Sequence, residues 1–587
     1  MQAIRPCLAV ATALALAAPP LQAAEQRPNI VLIVLDDVGM SDLGAFGGEI
    51  ATPVMDRMAK EGVRFTNFHV AAACSPTRAM LYTGVDNHVA GVGTLENIVA
   101  DNQKGKPGYE GYLNDRVLSI GTLLSRAGYR TYFSGKWNLG DTADKSPASQ
   151  GFQQSVALAQ TGSDNYQSKP YAPIHDASRW FEGGKEIALP KDFYSTRYYV
   201  DRMIGFLNAD KGNAQPFLSV VALQANHYPH QAPKPFIDRY MGRYDAGWDA
   251  IRAERYARQV QMGLFPGGAA PRRGPTSQAW DSLDAASKRD YAKRMAVYAG
   301  MLDAADTHIG RLRDYLKAAG KLDNTVFIVL SDNGADPYRL DKVFWYWYPF
   351  NYSTDYETLG EKGSFSAYGL DWAQVSNTPG YLYKGNAAEG GVRTPLIVSW
   401  PARFQGGRIS DTFTHVKDIV PTLLELAGAP LPGGAIAVPD GSSMLSHLDG
   451  RSARVHAPDQ PIGYEMAGNA ALYKGDLKLV KDLPPFGDNA WHLYDVRRDP
   501  TESHDLQASE PEAFRTMQSD LQAYFIKNGV IALPADYAPI RQLVKNNWAT
   551  LLRMLWPVLL TLVAILLAVV GGIFYLWRRW RIMPAHA

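Results

Sequence analysis

The chain has 587 residues, of which 46% are hydrophobic and 20% are charged. This length exceeds what one simple core accommodates, so it predicts two domains with terminal appendages, and the composition excludes a disordered chain. The formal net charge of +1 gives no reason to expect a nucleic-acid partner, so any basic feature must be local.

The first 23 residues predict a secretory signal peptide. Arg5 precedes an apolar run from Leu8 to Ala18, which is followed by the small-residue pattern Leu21-Gln22-Ala23. These are the charged, hydrophobic and cleavage regions of an export signal, with cleavage after Ala23. The body of the protein is therefore expected to be exported.

Residues 29–35, with the sequence NIVLIVL, predict a strand buried on both faces, because the run is continuous, apolar and rich in β-branched residues. Asp36 and Asp37 follow it directly. Ligands of open α/β sheets lie beyond the carboxyl ends of the strands, and two adjacent carboxylates there suggest a cation. Ordinary turn chemistry is the alternative interpretation of the pair.

The second point of interest is Cys74, in the segment CSPTRAMLYTG. Cys7, the other cysteine, lies in the predicted signal peptide, so the mature chain has no disulfide partner for Cys74. Pro76 suits the first turn of a helix, which places Cys74 just before an anion-attracting N-terminus, with Arg78 near the same anion. The thiol is either a small buried group or a reactive one.

The segment resembles the signature of the formylglycine-dependent type I sulfatases of the alkaline phosphatase-like superfamily, and it is most similar to the bacterial arylsulfatases. The resemblance implies that a formylglycine-generating maturation enzyme oxidises Cys74 to the aldehyde 3-oxoalanine. It also implies a large domain with a mostly parallel sheet between helices, here residues 24–430, followed by a smaller antiparallel α+β domain, residues 431–535.

A predicted strand at residues 129–133 leads into SGKWNLG, which resembles the G-K-W-H-L-G motif of the family. Lys136 matches the lysine that binds the sulfate. Asn138 stands where the family has a histidine that removes a proton from the covalent sulfo-enzyme intermediate and so helps to expel sulfate. A neutral amide cannot serve as that base, although Asn138 can still bind the substrate through hydrogen bonds.

Another predicted strand, residues 217–223, precedes QANHYPHQAP. This loop resembles the H-x-P-x-Q-A-P loop of the family. The alignment makes His227 the substrate-binding general acid and places His230 at a variable position. Without the resemblance, a solvent-exposed loop histidine is the alternative.

The predicted strand at residues 324–330 ends in Ser331-Asp332-Asn333-Gly334. Together with Asp36-Asp37 and the group at position 74, Asp332 and Asn333 predict a cation site of hard oxygen ligands, which favour Ca²⁺ or Mg²⁺ over zinc. The resemblance favours Ca²⁺. Asp303 and Asp306 on a predicted long helix are interpreted as a structural or solvated face.

Two features follow this strand. The aromatic run at residues 344–356 is interpreted as a packed insert, with a cleft wall and a membrane contact as alternatives. The segment around Lys384 resembles the K-x4-E-G-G-x-R-x-P motif of the family, in which Lys384 matches a sulfate-binding lysine. Glu389 and Arg393 are expected to be structural.

The C-terminal end predicts a membrane anchor. Residues 554–577 carry no charge and are long enough to span a bilayer, with residues 536–553 as a linker. Combined with the signal peptide, this predicts a single-pass protein with an exported, extracytoplasmic or periplasmic domain and a cytoplasmic tail, residues 578–587.

The sequence therefore predicts a membrane-anchored sulfatase that hydrolyses small sulfate monoesters, with aryl sulfates as the leading class, through a formylglycine hydrate. Lys136, Lys384, Arg78 and the cation would stabilise the negative charge of the ester. Two alternatives stay open. One is a phosphonate or phosphate ester hydrolase of the same superfamily, and the other is a sulfate-binding protein that lost turnover with the histidine at position 138.

Overall fold

A computed structural model describes residues 27–268 and 270–582. The predicted signal peptide, residues 1–23, and the last part of the predicted tail, residues 583–587, lie outside the described residues.

The strands are β1 Asn29–Leu35, β2 Val63–Phe65, β3 Phe68–His69, β4 Arg130–Lys136, β5 Gln154–Leu158, β6 Trp180–Glu182, β7 Lys185–Glu186, β8 Phe217–Ala222, β9 Thr325–Ser331, β10 Leu396–Ser399, β11 Arg408–Ser410, β12 Thr414–His415, β13 Pro461–Met466, β14 Asn469–Lys474, β15 Leu477–Lys481 and β16 His492–Asp495.

The α-helices are α1 Pro53–Glu61, α2 Cys74–Thr83, α3 Asn87–Ala90, α4 Ile120–Arg126, α5 Ser195–Ala209, α6 Lys234–Asp238, α7 Gly247–Gln261, α8 Ala285–Ala318, α9 Leu340–Val343, α10 Tyr348–Asn351, α11 Leu370–Ser376, α12 Glu389–Val392, α13 Ile419–Ala427, α14 Leu445–Leu448, α15 Pro511–Asn528, α16 Pro539–Asn546 and α17 Trp548–Ile582.

The large domain is built on a ten-stranded sheet in the order β11-β2-β10-β9-β1-β8-β4-β5-β6-β7. Its five central strands, β9 to β5 in that order, are mutually parallel, and antiparallel pairs flank them on both sides. This arrangement confirms the predicted α/β class with a mostly parallel sheet.

Strand β1 lies in the middle of this sheet and is buried on both faces. Val31 and Ile33 belong to one hydrophobic core, which also contains residues of α5, α7 and α8. Ile30 and Leu32 belong to the core on the opposite face, which also contains residues of α2, α4 and α13. Because both faces are covered, the strand is apolar at every position, as its sequence predicts.

The smaller C-terminal domain contains the antiparallel sheet β13-β14-β15-β16. One face contributes Tyr464, Ala471 and Val480 to the second core of the large domain. The other face packs on α15 through residues such as Leu479 and Leu521. The α+β class of this domain is therefore also confirmed.

A buried ion-pair network joins the two domains. Lys478 Nζ on β15 lies 2.8 Å from Glu389 Oε1 and 2.8 Å from Glu502 Oε1, and all three side chains are buried. Arg393 Nη1 lies 3.1 Å from Glu389 Oε2 and donates to the backbone oxygen of Val496. Glu389 and Arg393 are thus structural, as the sequence predicts.

The predicted linker before the candidate membrane span, residues 536–553, is largely helical. Helix α16 precedes α17, and residues Leu559–Arg581 of α17 are long and apolar enough to cross a membrane. This candidate span overlaps the predicted 554–577. Its apolar side chains are exposed.

The aromatic run is mainly a packed insert. Phe344, Trp347 and Tyr348 are buried in a cluster, whereas Trp345 and Phe350 are 70% and 77% exposed. This confirms the packed interpretation for the buried side chains, and the cavity described below is not lined by residues of the run.

Candidate active site

The predicted metal ligands come together at the carboxyl ends of two neighbouring strands. β1 and β9 are parallel, and their register pairs Leu35 with Ser331. Asp36-Asp37 and Asp332-Asn333 therefore leave the sheet side by side. The backbone N–H of Asp37 donates to Asp332 Oδ1 over 3.4 Å.

Cys74 lies directly against this group. It is the first residue of α2, one position later in the helix than predicted, which is within the usual uncertainty of a helix end. Its Sγ lies 3.4 Å from Asp36 Oδ1 and 3.9 Å from Asp37 Oδ1. Burial, with the negative charge of Asp332, raises the pKa of the thiol well above its ordinary value. An unmodified Cys74 is therefore a neutral thiol and a poor nucleophile.

These residues have the composition of a divalent-cation site. Asp36, Asp37, Cys74 and Asp332 each offer an atom within 4.8 Å of the others. Burial, and then the charge of Asp332, raise the pKa of Asp36 to about 7. Asn333 Oδ1 is buried and has no hydrogen-bond partner among the described residues. A cation would relieve the repulsion between the carboxylates and would give the amide oxygen of Asn333 a partner. The donor set therefore fits a hard divalent ion.

Two lysines balance the carboxylates. Lys136 Nζ at the end of β4 lies 2.6 Å from Asp36 Oδ2. Lys384 Nζ lies 2.7 Å from Asp37 Oδ1 and 3.1 Å from Asp336 Oδ2. Burial opposes the charge of Lys384, but the carboxylate of Asp37 and further negative groups hold its pKa well above the ordinary value. Both predicted sulfate-binding lysines therefore border Cys74 and the carboxylates.

Arg78 lies at the strand ends beside Cys74. It is buried, its Nε donates to Asp332 Oδ2 over 2.8 Å, and its Nη1 donates to the backbone oxygen of Lys136 over 2.6 Å. Its contacts orient Asp332 and the end of β4. An arginine four residues after Cys74 lies one turn along α2, so it can reach the strand ends beneath the site.

His227 and Asn138 line the same cavity as Cys74. His227 Nδ1 lies 2.6 Å from the backbone oxygen of Tyr228, and Nε2 lies 3.9 Å from Asp37 Oδ2. Burial, and then the positive charge of Lys384, hold the pKa of His227 well below its ordinary value. Nδ1 therefore carries the proton, and Nε2 faces the carboxylates.

Asn138 has a φ of 58°, a left-handed conformation in which asparagine is common. Its amide Nδ2 is buried and lacks a hydrogen-bond partner within the described part of the chain. The amide is therefore free to donate to a bound oxyanion.

Sequence reasoning missed Asp336. This buried carboxylate lies two residues beyond Gly334, lines the cavity and pairs with Lys384. Burial raises its pKa to about 6. The sequence signal that could have identified Asp336 is its position shortly after the end of β9. The predicted ligand segment ended at Gly334 and did not include it.

Three other candidates are structural. His230 is buried between the rings of Tyr298 and Tyr368 rather than in the site. Asp303 pairs with Arg239, and Asp306 accepts the backbone N–H groups of residues 54 and 55 at the start of α1. The structural interpretation of the two aspartates is thereby confirmed.

Above the charged floor, the cavity of about 190 Å³ is largely apolar. Its apolar lining consists of Leu95, Ile98, Ile174, Leu340, Met466, Ile540 and Leu543, and polar residues such as Glu96, Asp141 and His175 also line it. The site thus combines anion-binding lysines and carboxylates with a lining that is mostly apolar.

The chain matches two family models. The sulfatase model matches residues 28–429, which include all the residues of the charged floor. A model of the C-terminal part of N-sulphoglucosamine sulphohydrolase matches residues 379–528.

Relatives of known sequence or structure agree with these matches. An uncharacterized sulfatase of Schizosaccharomyces pombe is 39% identical over 88% of this chain and 96% of its own length. An arylsulfatase of Klebsiella aerogenes is 34% identical over 72% of this chain and 91% of its own length. The crystal structure of Ps i-CgsB in complex with k-i-k-neocarrahexaose shares the fold, with a TM-score of 0.63 and 24% identity over 86% of this chain and 94% of its own. The chain therefore belongs to the sulfatase family and is a hydrolase of sulfuric esters.

Proposed function

We propose that the protein hydrolyses sulfate monoesters of apolar alcohols, with aryl sulfates as the leading class, after a maturation enzyme has converted Cys74 to formylglycine. The observation that carries this proposal is the position of Cys74. Its Sγ lies against Asp36 and Asp37, beneath an apolar cavity that Lys384 and His227 also line.

The buried neutral thiol supports the modification. A cysteine with a purely structural role in an apolar core would not need lysines and paired carboxylates around it. The raised pKa of the Cys74 thiol also makes it a poor nucleophile. When hydrated, a formylglycine at this position supplies one hydroxyl to attack sulfur and a second to release sulfate. After the conversion, the surrounding charged groups can assist hydrolysis of the ester, which they cannot do with a neutral thiol at position 74.

We assign Asp36, Asp37, Asp332 and Asn333 as the protein ligands of a Ca²⁺ ion, with Mg²⁺ as the alternative. All four offer hard oxygen atoms, which suit either ion, and Ca²⁺ tolerates the irregular geometry of a mixed carboxylate and amide set. When bound, the ion would withdraw charge from the sulfate oxygens and favour ionisation of the attacking hydroxyl. Arg78 holds Asp332 in place.

The remaining groups divide the work on the ester. Lys136 and Lys384 are preorganised cations that stabilise the sulfate oxygens. His227 presents Nε2 to the site, because Nδ1 donates to a backbone oxygen. Nε2 must first take up a proton before it can protonate the departing alcohol oxygen, and the negative charge of a bound ester favours that protonation. Asn138 contributes a free amide donor but no base.

We also propose a location, which rests on the two ends of the chain. The candidate span in α17 and the predicted signal peptide support a single-pass protein whose catalytic domain is exported and whose tail is cytoplasmic. Because Cys74 is fully buried in the folded protein, the maturation enzyme would have to act before folding is complete.

The test compares matched sulfate and phosphate esters of one phenol, using protein co-produced with a formylglycine-generating enzyme. We expect the sulfate ester to be hydrolysed faster, and Cys74→Ala to abolish that hydrolysis. Faster turnover of the phosphate ester would favour the phosphoester alternative, and binding of sulfate esters without hydrolysis would favour the non-catalytic one.

A further inference from the structure

One wall of the active-site cavity comes from the segment that leads into the candidate membrane span. Pro539, Ile540 and Leu543 of α16 line the same cavity as Cys74 and His227. The helix follows the small domain in sequence, yet it returns to the mouth of the catalytic domain. Sequence reasoning interpreted this stretch as a linker.

Hydrogen bonds join α16 to residues 95–99, which also contribute to the cavity lining. Asn546 donates through Nδ2 to the backbone oxygens of Asn97 and Val99, over 3.1 Å and 2.9 Å. The Tyr537 hydroxyl, just before α16, donates to the backbone oxygen of Ile98 over 2.8 Å. These bonds use backbone acceptors of the 95–99 loop, whose Leu95 and Ile98 side chains line the cavity. The loop and α16 therefore form one unit.

The start of α17 belongs to the same unit. Leu551, in the first turn of α17, is 3% exposed and packs in the cluster that contains Phe344 and Trp347. Leu543 of α16 belongs to that cluster as well. Apolar packing thus joins the cavity wall to Leu551 at the start of α17, eight residues before the candidate span.

The wall leaves apolar surface uncovered. Ile540 is 41% exposed although it lines the cavity. Exposed apolar surface inside a ligand cavity is removed from water when an apolar group binds, which favours such a ligand. Cys74 and Lys384 mark the place of the sulfate head in this cavity, which leaves the apolar lining at Ile540 and Leu543 to the body of the leaving alcohol, although Glu96 and Asp141 also line the cavity.

We propose that α16 is a specificity element that selects amphiphilic sulfate esters, in which a sulfate head is joined to an apolar body that extends to Ile540 and Leu543. This inference rests on the proposed sulfatase activity and deepens it. The sulfate head contacts the lysines at the floor, and the apolar body contacts α16. A polar sugar in that position would lose water without gaining partners from these side chains.

The test uses the full chain in lipid nanodiscs, co-produced with a maturation enzyme, and two esters with closely similar phenols: phenyl sulfate and 4-octylphenyl sulfate. The test variant is Ile540→Ser. Because the Ile540 side chain is partly exposed, we expect this variant to fold. The matched control is Ile526→Ser on α15, an isoleucine that is 83% exposed and lies away from the cavity.

We expect Ile540→Ser to lower the ratio of kcat/KM for the octylphenyl ester to that for the phenyl ester by about tenfold, the scale of a lost apolar pocket contact. Ile526→Ser should leave the ratio unchanged, and comparing variants in one nanodisc cancels partitioning of the ester into lipid. An unchanged ratio in Ile540→Ser, with both esters hydrolysed, would overturn the role of α16 and leave the sulfatase proposal intact. Hydrolysis of neither ester by matured wild type would overturn both.

Discussion

Replacement of Asn138 by histidine tests what the amide at this position costs the enzyme. Asn138 lines the cavity, and its Nδ2 is buried without a partner among the described residues. Histidine also tolerates the left-handed φ of 58° at this position. The positive charges of Lys136 and Lys384 would keep the new imidazole neutral near pH 7, so that it could act as a base.

A positioned general base contributes about 10²-fold to 10⁴-fold in rate. Because the new ring would not be held by partners that evolved around it, we expect Asn138→His to reach the lower end, about 10²-fold in sulfate release, or about 2.7 kcal/mol of barrier. Release of the alcohol, which precedes that step, should change much less. The assay is single-turnover measurement of both products from one aryl sulfate.

Two control variants separate the base from other effects. Asn138→Gln keeps an amide and should show no gain, and Asn138→Ala removes the donor and should weaken binding of the ester. If Asn138→His releases sulfate no faster than wild type while the ester still binds, the release step does not depend on a base at this position, and the reasoning fails.

Three further outcomes follow from the same structure. Lys478→Met should lower the free energy of unfolding by about 3 to 5 kcal/mol, because it leaves two buried carboxylates without their cation. Denaturant titration measures this change. The control Lys474→Met, in a partly exposed ion pair, should lower the free energy of unfolding by less than about 1 kcal/mol. Burial opposes the charge of His88, but hydrogen bonds to two buried carboxylates raise its pKa to about 9. The resulting stabilisation of about 3 kcal/mol is fully present below the unfolded pKa near 6.5 and is lost as the pH rises to about 9. His88→Gln should therefore make the free energy of unfolding less dependent on pH between 6.5 and 9. A chelator should lower both Tm and hydrolysis, Ca²⁺ should restore both, and a Tm that does not respond to chelation and Ca²⁺ would argue against the assigned metal ligands.

The proximity of the charged residues at the strand ends could be predicted from the sequence because its signals are local. A buried strand is recognisable from an unbroken apolar run, and Asp36 and Asp332 each follow such a run directly. Two parallel neighbours then bring their ends together without further information. The same logic located Lys136 at the end of β4.

The contacts that the sequence did not predict depend on packing between distant segments. The contact of Arg78 with Asp332 depends on how α2 lies against the sheet. Asp336 becomes visible as a site residue only through its distance to Lys384. The return of α16 to the cavity spans more than 400 residues of sequence, and its few apolar residues carry no pattern that specifies which surface they cover.

The most direct test of the account is the mass of the peptide that contains Cys74, in protein purified from its native host with measured sulfate ester hydrolysis. The account predicts formylglycine at this position, with the side chain changed from a thiol to an aldehyde. An unmodified thiol in protein that hydrolyses sulfate esters would contradict it.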